Sequence, residues 1–588
     1  MQGDELGDVE YPLDRAGWER RQRAGRAAPG TGEEAGGMTG YFDLGNHHRP
    51  ASASSPDAQL WFDRGLIWAY AFNHEEAVRC FERAIEADPG CAIAHWGVAY
   101  AIGPNYNKAW DAFDPADLAA SLAKAFTAAQ RALACAGGAT AAEQALVAAI
   151  AARYPAPAPP VDAAAWNESY ARAMRRAYRD HPGDLDIAAL FADALLNVTP
   201  WQLWDLPSGE PAPGAHSPEA ARVLELALER PAGTVHPGVL HMYIHLMEMS
   251  PHPERALRAA DSLRALVPDG GHLLHMPTHI DVLCGDYRRV VASNSDAIAA
   301  DQRFLAREGP MNFYTLYRAH NYHFKIYGAM FAGQQRAALE AADELRAALP
   351  EELLRVETPP MADWLEGFVP MKMHALIRFG RWGDIIAEPL PGDQDLYCVT
   401  TAMTHYAKGI ALAATGDLAG AGEQRQLFRA AAGRIPASRT VFNNTCLDIL
   451  AIAAAMLDGE LDYRKGRHDA AFAHLRRSIE LDDGLPYDEP WGWMQPARHA
   501  YGALLLEQGR VAEAEAVYRA DLGLDGTLPR ACHHPGNVWA LHGYHECLVR
   551  LGKQEQAQII GQQLELAAAA ADVPVTASCA CRLGVSAG

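Results

Sequence analysis

Two segments of one pattern stand a fixed distance apart in this chain. HMYIHLMEMSPHPERAL begins at His241 and HMPTHIDVLCGDYRRVV at His275, so the period is 275 − 241 = 34 residues. Self-similarity at such a period marks a stack of supersecondary units, each too small to bury its own apolar face and completed by the next. The punctuation makes each unit a helical hairpin. Gly285-Asp286-Tyr287 and, one period earlier, Pro251-His252-Pro253 fall where a helix has to stop and turn back.

A chain of 588 residues exceeds one ordinary core. The period favours a repeat array over several unrelated domains. Hydrophobic residues make up 49% and aromatics only 9%, with Ala and Leu at helical spacing, as an all-helical array requires. The formal charge of −22 would repel a nucleic-acid backbone or an anionic membrane surface. No apolar run approaches the roughly 18 residues of a membrane span, and MQGDELGDVE has neither the basic start nor the apolar core of a signal peptide. These features predict a cytoplasmic protein with reduced thiols, its ten cysteines forming no dense framework. Only Cys579 and Cys581, in SCACR, make a close pair.

Residues 1–40 read as a disordered leader, 41–571 as one repeat domain and 572–588 as a cysteine-containing tail. His47 and His48 fall in a loop that leads into the array. From Asp57 the pattern is regular: AQLWFDRGLIWAYAF and HEEAVRCFERAIEADPG form a hairpin closed by Pro89-Gly90. FNHEEAVRCFERAIEADPG, AHWGVAY and the GDYRRV turn resemble tetratricopeptide repeats. GPNYN, HMYIHLMEMSP and EPWGWMQP look like a large bacterial subfamily described only as repeat-domain proteins. The resemblance covers residues 57–571 and implies an all-α solenoid of about twelve helical hairpins. In that family seven or eight hairpins complete about one superhelical turn, so this array is expected to wrap round an enclosed channel.

The resemblance also implies that positions 2, 5, 9, 12 and 13 of each repeat line the inner surface. Setting Gly285 as position 15 puts His272, His275 and His279 at 2, 5 and 9, one stripe of a helix. The same count from Pro251 places His241 and His245 at 5 and 9 and Glu248 at 12. From Gly333 it places His320 and His323 at 2 and 5 and Tyr327 at 9, and from Gly380 it gives His374 the slot of His279. Seven of the nine histidines between 236 and 323 thus face inward. Neighbouring helices pack about 8–10 Å apart, so imidazoles of adjacent stripes can reach one ion at about 2.0–2.1 Å per bond. The expected cofactor is a transition metal, copper, iron or zinc, on His241, His245, His272, His275, His279, His320 and His323. The competing reading is a set of hydrogen-bonded lining residues. HMYIH and HMPTH share the i, i+4 histidines of HExxH but lack its Glu, which argues against a metalloprotease.

Further inward polar residues are His499, His542 and Glu546, read as lining for a substrate together with Asn105 and Tyr106 of GPNYN and a lid or apolar wall of Trp491 and Trp493. Cys579 and Cys581 are candidate tail ligands, since C-x-C binds soft metals. No Walker loop, GxSxG elbow or CxxC zinc pair is present. The leading expectation is a metalloenzyme performing oxidation or hydrolysis on a small molecule or peptide, with Glu248, His374 and Tyr327 in catalytic roles. The rivals are a scaffold gripping a protein partner and a metal storage or delivery protein.

Overall fold

The computed structural model describes residues 40–159 and 162–582. The chain divides into Met1–Phe42 and Asp43–Gly588. The expected leader, 1–40, lies outside the described residues except for Gly40. The second unit is an all-α solenoid of antiparallel helical hairpins. Its one β element among the described residues is a hairpin of Thr440–Val441 with Asn444–Thr445.

The first hairpin shows the local rules. The Ser55 side chain accepts from Asp57 N and Pro56 opens the helix Pro56–Tyr70, where a missing N–H costs nothing. After a two-residue turn Asn73 caps His74–Ala87 through Glu76 N. Ala58, Phe62, Leu66 and Ala69 of the first helix and Ala77, Phe81 and Ala84 of the second are buried between the two. The 34-residue period reproduces this unit downstream. Gly285 ends its helix at φ +82 in the left-handed cap and leads into Asp286, which caps Tyr287–Glu308. A side chain there would also strike Pro535 O at 2.4 Å, so glycine is demanded twice.

One expected helix is broken. HMPTH does not continue a single rod, because Pro277 lacks an N–H and its ring displaces the preceding turn. The segment forms Gly271–His275 and Pro277–Cys284. His275 and His279 stay neighbours across the break.

The array closes on itself. Arg530 donates to Leu283 O at 2.6 Å, Trp539 Nε1 to Met330 O at 2.6 Å, and the backbone N–H groups of Gln335 and Arg336 to the Asp572 carboxylate at 2.6 and 3.0 Å. The last hairpins therefore seal against the middle of the chain and enclose a chamber lined by His241–His320. The described part of the tail packs inward: Ser578 bonds Tyr518 Oη at 2.5 Å, and Arg378 donates to Ser578 O at 2.9 Å. Among the described residues no helix is long and apolar enough to cross a membrane.

Candidate metal centre

The helix Pro237–Glu248 contributes His241 and His245, Gly271–His275 contributes His272 and His275, Pro277–Cys284 contributes His279, and Thr315–Phe331 contributes His320. All six are buried. They form two trios, His241/His245/His272 and His275/His279/His320. In each trio one potential donor atom per residue lies within 4.8 Å of the other two.

The hydrogen bonds around the rings decide which nitrogen faces inward. His241 Nδ1 donates to Tyr70 O at 2.7 Å. Asn294 Nδ2 donates to Val290 O, which turns Asn294 Oδ1 toward His275 Nδ1 at 2.7 Å. Glu248 holds His245 Nδ1 at 3.1 Å with one oxygen and His279 Nδ1 at 2.8 Å with the other. With these Nδ1 protons committed, the Nε2 lone pairs are left pointing into the chamber. His275 Nε2 stands 2.8 Å from His279 Nε2, His272 Nε2 stands 3.1 Å from His241 Nε2, and His245 Nε2 is buried without a partner. Two nitrogens bound to one ion at about 2.0–2.1 Å and tetrahedral angles stand about 3.3 Å apart. Anchoring of the outer ring nitrogen by a carboxylate or carbonyl is the usual support of a metal-ligating histidine.

Charging these rings instead is opposed by their surroundings. Burial first, and neighbouring imidazoles second, hold His245, His272, His275 and His320 well below the ordinary histidine range. Burial pushes Glu248 up to about 8, with His279 pulling it only part of the way back.

Three aromatic residues pack against the chamber from strained backbone. Phe72, Trp201 and Phe442 have φ of +53, +60 and +48 and are the positive-φ residues other than glycine among those described. Such conformations cost about 1–3 kcal/mol each and persist where the surroundings over-determine them. Phe72 fills the turn slot that Gly285 occupies in its own hairpin, and its ring stacks on His245 and His272 at 5.6 and 5.4 Å. Phe442 sits at the first turn position of the β-hairpin, where two-residue hairpins require positive φ, and meets the His320 ring edge-on at 4.7 Å. Trp201 lies 6.3 Å from His245 and 4.9 Å from Tyr106.

A cavity of about 920 Å³ adjoins the second trio. Its wall includes His279, His320, Tyr106, Phe442, Tyr487 and Glu489. Glu489 was missed in the sequence. Its Oε2 lies 2.7 Å from His279 Nδ1 without satisfying a hydrogen bond, and Tyr487 donates to its other oxygen. Burial pushes its carboxyl well above the usual range. The signal was an Asp-Glu pair at 488–489 opening an otherwise apolar, tryptophan-bearing loop, a place where carboxylates have no reason to be buried unless something faces them. Phe72, Asn294 and Tyr487 were missed as well. Of these Phe72 was readable, as a bulky residue in a glycine slot.

Other expected residues lie elsewhere. His323 stands apart from both trios because its Nε2 faces Met494 Sδ at 2.9 Å. His374 is buried edge-on to Trp493, and Tyr327 stacks on Phe331, neither in the cavity wall. Tyr106 does line the cavity, 4.7 Å from His245. Asn105 instead braces its own loop, accepting from Asn107 N and Lys108 N at 2.9 Å each. Trp491 and Trp493 form no lid: both are packed, and Trp491 Nε1 is spent on Asp482 at 3.1 Å. His499 is held between Asp521 and Arg378, and Glu546 is taken by Arg582 at 2.6 Å, with His542 half-buried beside it. Cys579 and Cys581 are joined to each other as a disulfide near His499, not free as tail ligands in the histidine chamber.

A third triad, His47, Asp186 and His236, has metal-ligand composition but is already satisfied. Asp186 accepts from Arg49 at 3.0 Å and from Tyr70 at 2.7 Å besides the two histidines, so a guanidinium occupies the place of a cation.

Among known proteins, the tetratricopeptide repeat family matches residues 58–91, the first hairpin. No curated protein matches the sequence. Solved structures with a similar course include the Cut9–Hcn1 hetero-tetramer of APC/C (12% identity, 81% of this chain and 74% of that one, TM-score 0.29). A monomeric IFIT1 mutant with Gppp-AAAA (10%, 87% and 90%, 0.29) and yeast Tom70 (11%, 86% and 99%, 0.29) are similar to the same degree. At these scores the likenesses carry no argument about the site.

Proposed function

We propose that this protein is a metal-dependent enzyme that holds a transition metal, copper, iron or zinc, in the histidine chamber and acts on a small molecule admitted to the adjoining cavity. The observation that carries the reading is the His275–His279 pair. Two neutral imidazoles whose outer nitrogens are committed to acceptors present lone pairs to each other at 2.8 Å, an arrangement that a shared cation stabilises and its absence does not. Bound there, the ion would supply Lewis acidity or electron transfer.

The protein side of the chemistry falls to Glu489 rather than Glu248. Glu489 lines the cavity, so it is placed to hold or move a proton of a substrate, while Glu248 stands behind the rings and orients them. No Lys or Arg is found among the described residues of the cavity wall, which carries Asp111, Asp205, Asp483, Asp488 and Glu489 beside its aromatic rings. The substrate this wall accepts is neutral or cationic with an apolar face. A peptide-clamping scaffold would instead present basic or amide groups in an open groove.

Metal analysis of tag-free protein, as purified and after reconstitution, tests the proposal. Stoichiometric metal is expected, and less than about 0.2 equivalents of any transition metal under both conditions would sink it.

A further inference from the structure

We infer that the chamber holds two metal ions, one on His241, His245 and His272 and one on His275, His279 and His320. This rests on the metal reading above and goes beyond it in number and in division of labour.

The donors themselves are divided. Each trio converges to within 4.8 Å, and the six do not form one such group. Three imidazoles are a complete protein ligand set for an ion that keeps a further position open. Six would overfill a single tetrahedral ion. The trios also abut: the His272 and His275 rings lie 5.8 Å apart and the His245 and His279 rings 6.0 Å apart, as in neighbouring halves of one centre rather than two remote sites.

Glu248 is the second observation. One carboxylate orients His245 of the first trio through one oxygen and His279 of the second through the other. A single site on either trio would need only one of these bonds. Shared orientation through a buried carboxylate ties the geometry of the trios together.

The halves face different surroundings. His279 and His320 line the 920 Å³ cavity, so the second ion is the one a substrate reaches. The first trio contributes nothing to that wall, and Phe72 stacks over it. Its ion is enclosed.

Reconstitution of the tag-free full chain tests this, with Cu(I) under anaerobic conditions and with Zn²⁺ in a parallel arm, bound metal being counted by mass spectrometry after gel filtration. About two equivalents per chain are expected in at least one arm. His245→Ala and His320→Ala should each retain about one, and the double variant none, with circular dichroism confirming the fold. The wild-type count needs no variant, so a misfolded substitution leaves the test intact. A wild-type count of one overturns the inference while leaving the single-metal enzyme standing. Two equivalents that survive both single substitutions overturn the assignment of ligands. A count near zero removes the metal reading itself.

Discussion

Two regions of this molecule bury histidines on the inner faces of helices, and they are built on opposite principles. Around Asp521 each imidazole faces an anion: His499 Nε2 and His534 Nδ1 lie 2.9 Å from its two oxygens, Asn537 adds a bond at 3.2 Å, and Arg378 donates to the far nitrogen of His499 at 3.0 Å. In the chamber the carboxylates stand behind the rings and the imidazoles face one another. The first arrangement is closed, every polar atom having found its complement within the chain. The second is complete only with something positive at its centre. Burial of histidine is therefore uninformative by itself, and what the inner nitrogen faces decides between structure and chemistry.

Removing the anion from the closed region should have the largest effect. Asp521→Asn leaves two buried histidines and an asparagine around a neutral amide. It should destabilise the protein by about 3 kcal/mol in urea unfolding, with metal content unchanged. Glu248→Gln is the counterpart in the open region. The amide can accept from one Nδ1 but not from both, so metal affinity should fall roughly 10–100-fold while the metal-free protein unfolds close to wild type. If Asp521→Asn empties the chamber, or Glu248→Gln unfolds the protein and spares the metal, the contrast fails.

Acid unfolding sharpens the same comparison. Burial works against the Asp521 carboxylate, but His499 and His534 outweigh it and hold its pKa well below the usual range. A depressed carboxylate contributes stability that is present above its unfolded pKa of about 3.9 and is lost as pH falls through the folded value. The stability difference between wild type and Asp521→Asn should accordingly be flat near neutrality and shrink below about pH 4, by at most about 1.4 kcal/mol per pH unit. A difference that grows on acidification would mean that Asp521 is not ionised in the native state.

The repeat period made the hairpins and the inward register legible, because a 34-residue spacing with turns at Gly285 and Gly333 leaves little freedom in which face looks inward. Six histidines that gather in the chamber were read from that register. It could not separate them from His323, since positions 2 and 5 of one helix point to different neighbours once Met494 enters from 171 residues away. Glu489 escaped for the same reason. It reaches His279 on a loop that the period does not govern, and only closure of the array brings it there. His499 and His542 had the same register as the chamber histidines, and what distinguishes them, Asp521 and Arg582, comes from other elements.

The turn before His74 gives the smallest expected effect and isolates what the chamber imposes on the backbone. Phe72 and Gly285 occupy equivalent turns at φ +53 and +82, but only glycine is at ease there. Truncating Phe72 to Ala and to Gly removes the same ring from His245 and His272, so both variants lose its packing, by roughly 3 kcal/mol. They differ in the backbone alone. Alanine retains the Cβ that the left-handed region penalises, whereas glycine relieves it at the expense of a more flexible unfolded chain, so Phe72→Gly should be more stable than Phe72→Ala by about 1 kcal/mol. Equal stabilities in thermal unfolding would mean that the turn relaxes once the ring is gone, and that the strain belongs to Phe72 packing on the histidines and not to the turn itself.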